Sequence, residues 1–200
     1  MDALNTPNWA RLAEQVKACT ACPLHQTRKN TVLGKGDQEA PLLIVGEAPG
    51  AEEDKQGLPF VGAAGQLLDK MLAAVNLTPD DVYIANTLKC RPPQNRDPEP
   101  SEMACCRPFL TQQITWIKPS LIVALGRIAV QSLLNTSRPL KYLRNHLFTY
   151  GEDKIPLIVS FHPAYLLRSP AEKRPAWEDW KKIRHYLETA EYLPSPSPLR

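Results

Sequence analysis

The sequence predicts an α/β protein with a mostly parallel sheet and helices on both faces. Three observations carry this. Four short apolar runs, at residues 42–45, 82–85, 121–125 and 155–160, alternate with segments of helical pattern. Each run is continuously apolar, as in strands buried on both sides. Each run also ends in a polar or glycine-containing segment, so that Glu47, Asn86, Gly126 and His162 stand just beyond the four strands. In parallel sheets ligands bind in the crevice outside those carboxyl ends.

The elements follow in order. A first helix is expected over residues 7–17, with Thr6 as cap, Pro7 in the first turn and Trp9, Leu12, Ala13 and Val16 on its apolar side. It stops at Cys19-Thr20-Ala21-Cys22-Pro23. The strand at 42–45 runs into Gly46-Glu47-Ala48-Pro49-Gly50, and a Gly-rich connection ends in Gly57-Leu58-Pro59-Phe60-Val61-Gly62. Leu67, Leu68, Met71, Leu72 and Val75 recur at helical spacing and predict a helix over 63–75. After the strand at 82–85, residues 90–100 are too rich in Pro, Asn and Asp to be regular. A helix over 101–117, kinked at Pro108, precedes the third strand. A helix at 128–134, the fourth strand and a helix over 176–193 that buries Trp180, Ile183, Tyr186 and Leu187 complete the chain. The expected organisation is one domain, residues 1–193, with a disordered Pro-rich tail at 194–200.

Composition narrows the class. Two hundred residues with 43% hydrophobic and 22% charged content suit a globular domain with a sizeable core. No apolar stretch approaches the ~18 residues of a membrane span, and the N-terminus is neither basic nor apolar, so neither a membrane segment nor a secretory signal is expected. The expected compartment is the cytoplasm. A net charge of +3 permits nucleic-acid binding without arguing for it.

Five cysteines are present: Cys19, Cys22, Cys90, Cys105 and Cys106. In the cytosol disulfides are rare. The C-x2-C pair can place two thiolates on one centre that two distant cysteines complete. Ligand type alone leaves zinc and an iron–sulfur cluster open. Adjacent helical residues point about 100° apart, so one of Cys105 and Cys106 would ligate and the other would not.

Each residue of the crevice has an ordinary structural reading: Glu47 as a turn carboxylate, Phe60 as core, Asn86 as a turn residue, His162 as a satisfied histidine. At one sheet edge they suit a flat heterocycle. An aromatic ring stacks, an Asn amide reads a polar edge, and a histidine with Gly-rich loop amides stabilises a developing anion.

Four ordered motifs make the reading specific. Gly46-Glu47-Ala48-Pro49-Gly50, Pro59-Phe60-Val61-Gly62, Asn86 with Lys89-Cys90-Arg91-Pro92-Pro93, and His162-Pro163-Ala164-Tyr165-Leu166-Leu167-Arg168 resemble the family 4 uracil-DNA glycosylases. The resemblance implies a three-layer α/β/α sandwich around a four-stranded parallel sheet, and a prokaryotic repair enzyme, nucleoid-associated when acting. It implies hydrolysis of the N-glycosidic bond of uracil in double- or single-stranded DNA by a monomer, with no lyase step. It implies a [4Fe–4S] cluster on Cys19, Cys22, Cys90 and Cys106, leaving Cys105 spare. By the same resemblance Phe60 stacks on the extruded uracil, Asn86 reads its edge, Glu47 lies near the base and the attacking water, and His162 donates toward uracil O2. Gly46, Ala48, Pro49 and Gly50 wall the base pocket, and Tyr165, Leu166, Leu167 and Arg168 enter the minor groove as a wedge. Arg91 and Arg96, then Lys141, Arg144 and Arg168, are candidate phosphate contacts. Ala48 stands where the similar motif of family 1 enzymes carries an Asp, which shifts the expected emphasis from activating water to stabilising the leaving base. The rival reading is a glycosylase-like module that grips uracil-containing DNA with little turnover.

Overall fold

The computed structural model describes residues 7–191; the Thr6 cap, the end of the last predicted helix and the 194–200 tail lie outside the described residues. The order is α1 (Trp9–Ala18), β1 (Lys35–Gly36), β2 (Leu42–Gly46), α2 (Ala51–Gln56), α3 (Ala63–Ala74), β3 (Val82–Asn86), α4 (Pro100–Ile117), β4 (Leu121–Leu125), α5 (Gly126–Leu134), α6 (Leu140–Leu143), β5 (Leu147–Tyr150), β6 (Ile155–Ser160), α7 (Pro163–Arg168) and α8 (Lys173–Thr189).

One sheet runs β1-β3-β2-β4-β6-β5. Its four inner strands are the four apolar runs, and all pair in parallel. The sheet is nevertheless mixed, because β1 and β5 add antiparallel at the two edges. Neither edge strand has the apolar signature. β1 is only 2 residues long, and β5 alternates exposed and half-buried positions.

The pleat sends alternate residues to opposite faces. Leu43, Val45, Ala85, Ile122, Ala124, Leu157 and Val159 pack on one side against Leu110 and Ile114 of α4 and Ala129 and Val130 of α5. Leu42, Ile44, Val82, Ile84, Val123 and Ile158 pack on the other against Leu68 and Leu72 of α3 and Trp180 and Ile183 of α8. These are the three predicted layers. Each fully buried aliphatic side chain contributes roughly 2 kcal/mol, so together they outweigh any single loop contact.

Local chemistry corrects several boundaries. Asn8 caps α1, its side chain accepting from Arg11 N at 2.9 Å. α2 forms inside the Gly-rich connection, with Gly57 taking a positive φ of 73° at its end. Pro108 lies inside α4, which runs as one helix from Pro100 to Ile117. α8 runs from Lys173 to Thr189 and is capped by Ala190, whose φ is 57°. Among the described residues no helix is long and apolar enough to cross a membrane.

Because β2 lies between β3 and β4, the chain leaves it first to one side and later to the other. That reversal opens a crevice at the carboxyl ends of β2 and β4.

Candidate active site

The last residue of β2, Gly46, pairs in register with Asn86, the last residue of β3. A side chain at Gly46 has no room. Its Cβ would lie 2.4 Å from Asn86 Oδ1 and 2.8 Å from Phe60 Cζ. The close approach of this bare backbone lets the amide and the ring stand side by side. Asn86 is 2% exposed, and among the described groups its Oδ1 has no hydrogen-bond partner. A buried, unpaired acceptor costs roughly 1–3 kcal/mol, which a ligand N–H would recover. Gly46→Ala should therefore displace both side chains, destabilise the fold by about 1–3 kcal/mol and cut activity at least ~10-fold. Urea unfolding and single-turnover assays check this.

Phe60 is buried and has a positive φ of 51°. Its carbonyl accepts from Lys35 Nζ at 3.2 Å, and Gly65 passes so closely that a Cβ there would overlap that carbonyl. Across the cleft the His162 ring lies 5.5 Å from the Phe60 ring, nearly parallel at 29°. His162 caps α7, its Nδ1 accepting from Ala164 N at 3.2 Å. With Nδ1 used as acceptor, the neutral ring carries its proton on Nε2. Burial, with the Arg168 charge second, pushes the imidazole pKa down to about 4, so His162 is a neutral donor at physiological pH.

Glu47 follows Gly46. Its carbonyl accepts from Leu88 N at 3.0 Å and from Thr87 Oγ1, which fastens this turn to the segment after β3. Burial, helped by Asp97, raises its carboxyl pKa, and the charges of Arg127 and Arg168 oppose the rise. The cleft encloses about 620 Å³. Of the predicted residues Glu47, Ala48, Pro49, Gly50, Phe60, Asn86, Arg96, His162, Tyr165 and Arg168 line it, with Gly46 beneath the Asn86 amide and the Phe60 ring.

The cysteines share one neighbourhood. Cys90 and Cys106 are buried with Leu24 and Leu88, and Cys22 packs against them. Arg28 Nη1 donates to Cys90 Sγ at 3.0 Å, and the Cys105 thiol lies 3.3 Å from Ala21 O. Cys19 and Cys22 are close enough for charge on either to influence Cys90. Burial raises the Cys22 and Cys90 thiol pKa values and takes Cys106 to about 11. Among the described residues no group of three or more His, Cys, Asp or Glu side chains is arranged to hold a metal ion. Cys19, Cys22, Cys90 and Cys106 are free thiols, the donor type that a four-thiolate cluster uses.

A family model for the uracil DNA glycosylase superfamily matches residues 33–183. A type-4 uracil-DNA glycosylase from Thermotoga maritima is 44% identical over 180 residues, covering 88% of this chain and 93% of that protein. One from Archaeoglobus fulgidus is 42% identical over 179 residues, covering 86% and 89%. The chain belongs to the type-4 branch of the uracil DNA glycosylase superfamily. A type-5 uracil-DNA glycosylase from Thermus thermophilus is more distant, at 30% identity over 153 residues covering 60% of this chain.

Within this uracil DNA glycosylase fold, the candidate DNA contacts divide. Tyr165, Leu167 and Arg168 are exposed on α7. Leu166 is not part of that surface. It is 1% exposed and packs with Phe161 and Ala176, because a helix turns neighbouring side chains about 100° apart. Arg96 is committed to a two-pronged bond with buried Glu102, at 2.9 and 2.6 Å. Arg144 likewise grips buried Asp179 and lies over the Phe161 ring, so it holds the fold and is no free phosphate contact. Arg91 donates to Asn95 Oδ1 at 2.7 Å and lies off the cleft lining. Lys141 sits over the Tyr142 ring.

Three charged cleft residues escaped the sequence reading: Glu53, Asp97 and Arg127. Arg127 and Asp97 pair at the rim. Arg127 follows Gly126 at the end of β4, so its strand-end position was a usable signal. Asp97, inside an irregular loop, gave none.

Proposed function

We propose that this chain is a monofunctional uracil-DNA glycosylase. It hydrolyses the N-glycosidic bond of uracil in DNA, releases free uracil and leaves an abasic site. The observation that carries the reading is the buried Asn86 amide with an unpaired acceptor, lining one cleft with Phe60 and a neutral His162.

The chemistry follows from those groups. The flipped base stacks on Phe60. Asn86 Oδ1 accepts from uracil N3–H and its amide N–H donates to O4. Cytosine presents an acceptor and a donor in the opposite places and leaves both pairs unmade. As the glycosidic bond stretches, the sugar gains positive charge and the base negative charge. His162 Nε2–H donates toward O2, where that negative charge grows, and being neutral it loses no proton to solvent beforehand. Glu47 orients the attacking water and takes its proton, and its carboxylate favours the cationic sugar. Ala48 adds no second carboxylate at this place, so leaving-group stabilisation dominates. No lysine stands among the described cleft-lining residues. The nearby Lys89 ammonium is engaged with Leu33 O, Asn86 O and Gln113 Oε1. A Schiff-base lyase step is therefore disfavoured.

Cys19, Cys22, Cys90 and Cys106 would hold a [4Fe–4S] cluster. Bound, it would act as a brace that fastens the end of α1 to α4 and to the loop after Asn86. Tyr165, Leu167 and Arg168 would hold the duplex open around the flipped nucleotide. We further assign the chain a single catalytic domain, a monomeric state, single- or double-stranded uracil-containing DNA as partner, and a prokaryotic cytoplasmic site of action at the nucleoid.

The test is direct. A labelled oligonucleotide with one uracil is incubated with iron-replete protein, then treated with alkali. Strand cleavage at the uracil after alkali, and none before it, is expected. An iron-replete sample that yields no alkali-labile site would overturn the assignment.

A further inference from the structure

Two glutamates line the cleft, Glu47 and Glu53, and their surroundings give them different work. Glu47 shows no side-chain hydrogen bond to a backbone amide among those described, whereas Glu53 accepts three. Its Oε2 accepts from Gly50 N at 3.1 Å, and its Oε1 accepts from Val61 N and Gly62 N, both at 2.9 Å. The first bond is what a glutamate three residues into a helix ordinarily makes at its own N-terminus. The other two reach a different loop, eight and nine residues on, immediately after Phe60.

We infer that Glu53 is a positioning residue that locks the Phe60 loop to the Gly46–Gly50 turn and so sets the stacking wall of the base pocket. Phe60 needs such a lock. Its φ of 51° lies in the left-handed region, which costs a non-glycine residue free energy unless its neighbours over-determine it. Glu53 holds the two amides that follow, Lys35 holds the Phe60 carbonyl, and Gly65 leaves space beneath it. The turn is shaped for the same contact, since a Cβ on Gly50 would lie 2.7 Å from Glu53 Oε2. With three backbone N–H groups bonded to its two oxygens, Glu53 is held in place, whereas Glu47 carries no such bond among those described.

This inference rests on the proposed glycosylase activity, and its test separates the two. Single-turnover excision is measured for wild type, Glu53→Gln, Phe60→Ala and the double variant, with inhibition by free uracil and affinity for abasic-site DNA measured on each. Glu53→Gln keeps one acceptor oxygen and the side-chain size, so it retains the fold, and a single cooperative melt only a few degrees below wild type checks this. Glu53→Gln should lose about 10-fold in rate and Phe60→Ala about 100-fold. The double variant should fall within about 3-fold of Phe60→Ala, because Glu53 acts through Phe60. Free uracil should inhibit Glu53→Gln more weakly while abasic-site DNA binds unchanged. Losses that multiply, or equal weakening of both ligands, would overturn the positioning role. An inactive wild type would instead overturn the activity.

Discussion

Replacing His162 by alanine should lower single-turnover uracil excision by about 10²–10³-fold, the usual loss when one donor to a developing oxyanion is removed. Substrate affinity should change far less, because the contact strengthens only as charge builds on the base. His162→Gln, which can still present an N–H, should recover part of the loss. Near-normal excision by His162→Ala would contradict the assigned role.

The same residue has a pH signature. Its pKa is about 4 in the folded protein against roughly 6.5 in the unfolded chain. Between those values only the unfolded state takes up the proton. The stabilising effect is therefore complete above pH 6.5 and is lost as pH falls toward 4. The ceiling is about 3 kcal/mol, and the cleft-facing edge of the ring keeps the real value below it. Urea unfolding at pH 7 and pH 4.5 should show this slope in wild type and a shallower one in His162→Ala. Activity should not decline as pH rises through 6.5, since the working form is already neutral. The acid limb should instead report Glu47, whose pKa is raised by burial, so the rate should climb with pH through a value above that of an ordinary glutamate.

The second large effect concerns the cysteines. Cys106→Ser should abolish the broad absorption near 400 nm expected of an iron–sulfur protein and leave it unstable, whereas Cys105→Ser should leave colour and iron content near wild type. Cys106 is buried with Cys90, while Cys105 is half-buried with its thiol near Ala21 O. A brace lost at Cys106 would also reach the base pocket, because Thr87 and Leu88 hydrogen-bond to the Gly46–Glu47 turn between Asn86 and Cys90. Iron content, absorption and melting temperature measure the outcome. Full iron in Cys106→Ser would reassign the fourth ligand.

Much of the architecture was legible because it rests on local pattern. Four uninterrupted apolar runs gave four parallel strands, and the residues after them were placed at one edge by topology alone. The edge strands were not legible. Lys35–Gly36 is too short to carry a period, and Leu147–Tyr150 is half exposed. Arg96 and Arg144 looked like free surface cations because sequence shows charge and not its partner. Glu102 and Asp179 claim them only once α4 and α8 have packed. Leu166 read as part of a continuous wedge, although the pitch of α7 turns it into the core.

The sequence by itself determined the layers, the order of the four central strands along the chain, the motifs at their ends and, through those motifs, the family. These depend on periodicity and on residue types at fixed spacing, which any reader of the chain can count. Only the tertiary structure decided that Gly46 is glycine because Asn86 and Phe60 occupy its side-chain space. The Nδ1 bond to Ala164 that leaves the His162 proton on Nε2, and the grip of Glu53 on the loop after Phe60, were likewise settled only there. These are relations between segments distant in sequence or bonds made at one specific geometry. Their energies depend on distance and orientation, which no local pattern records.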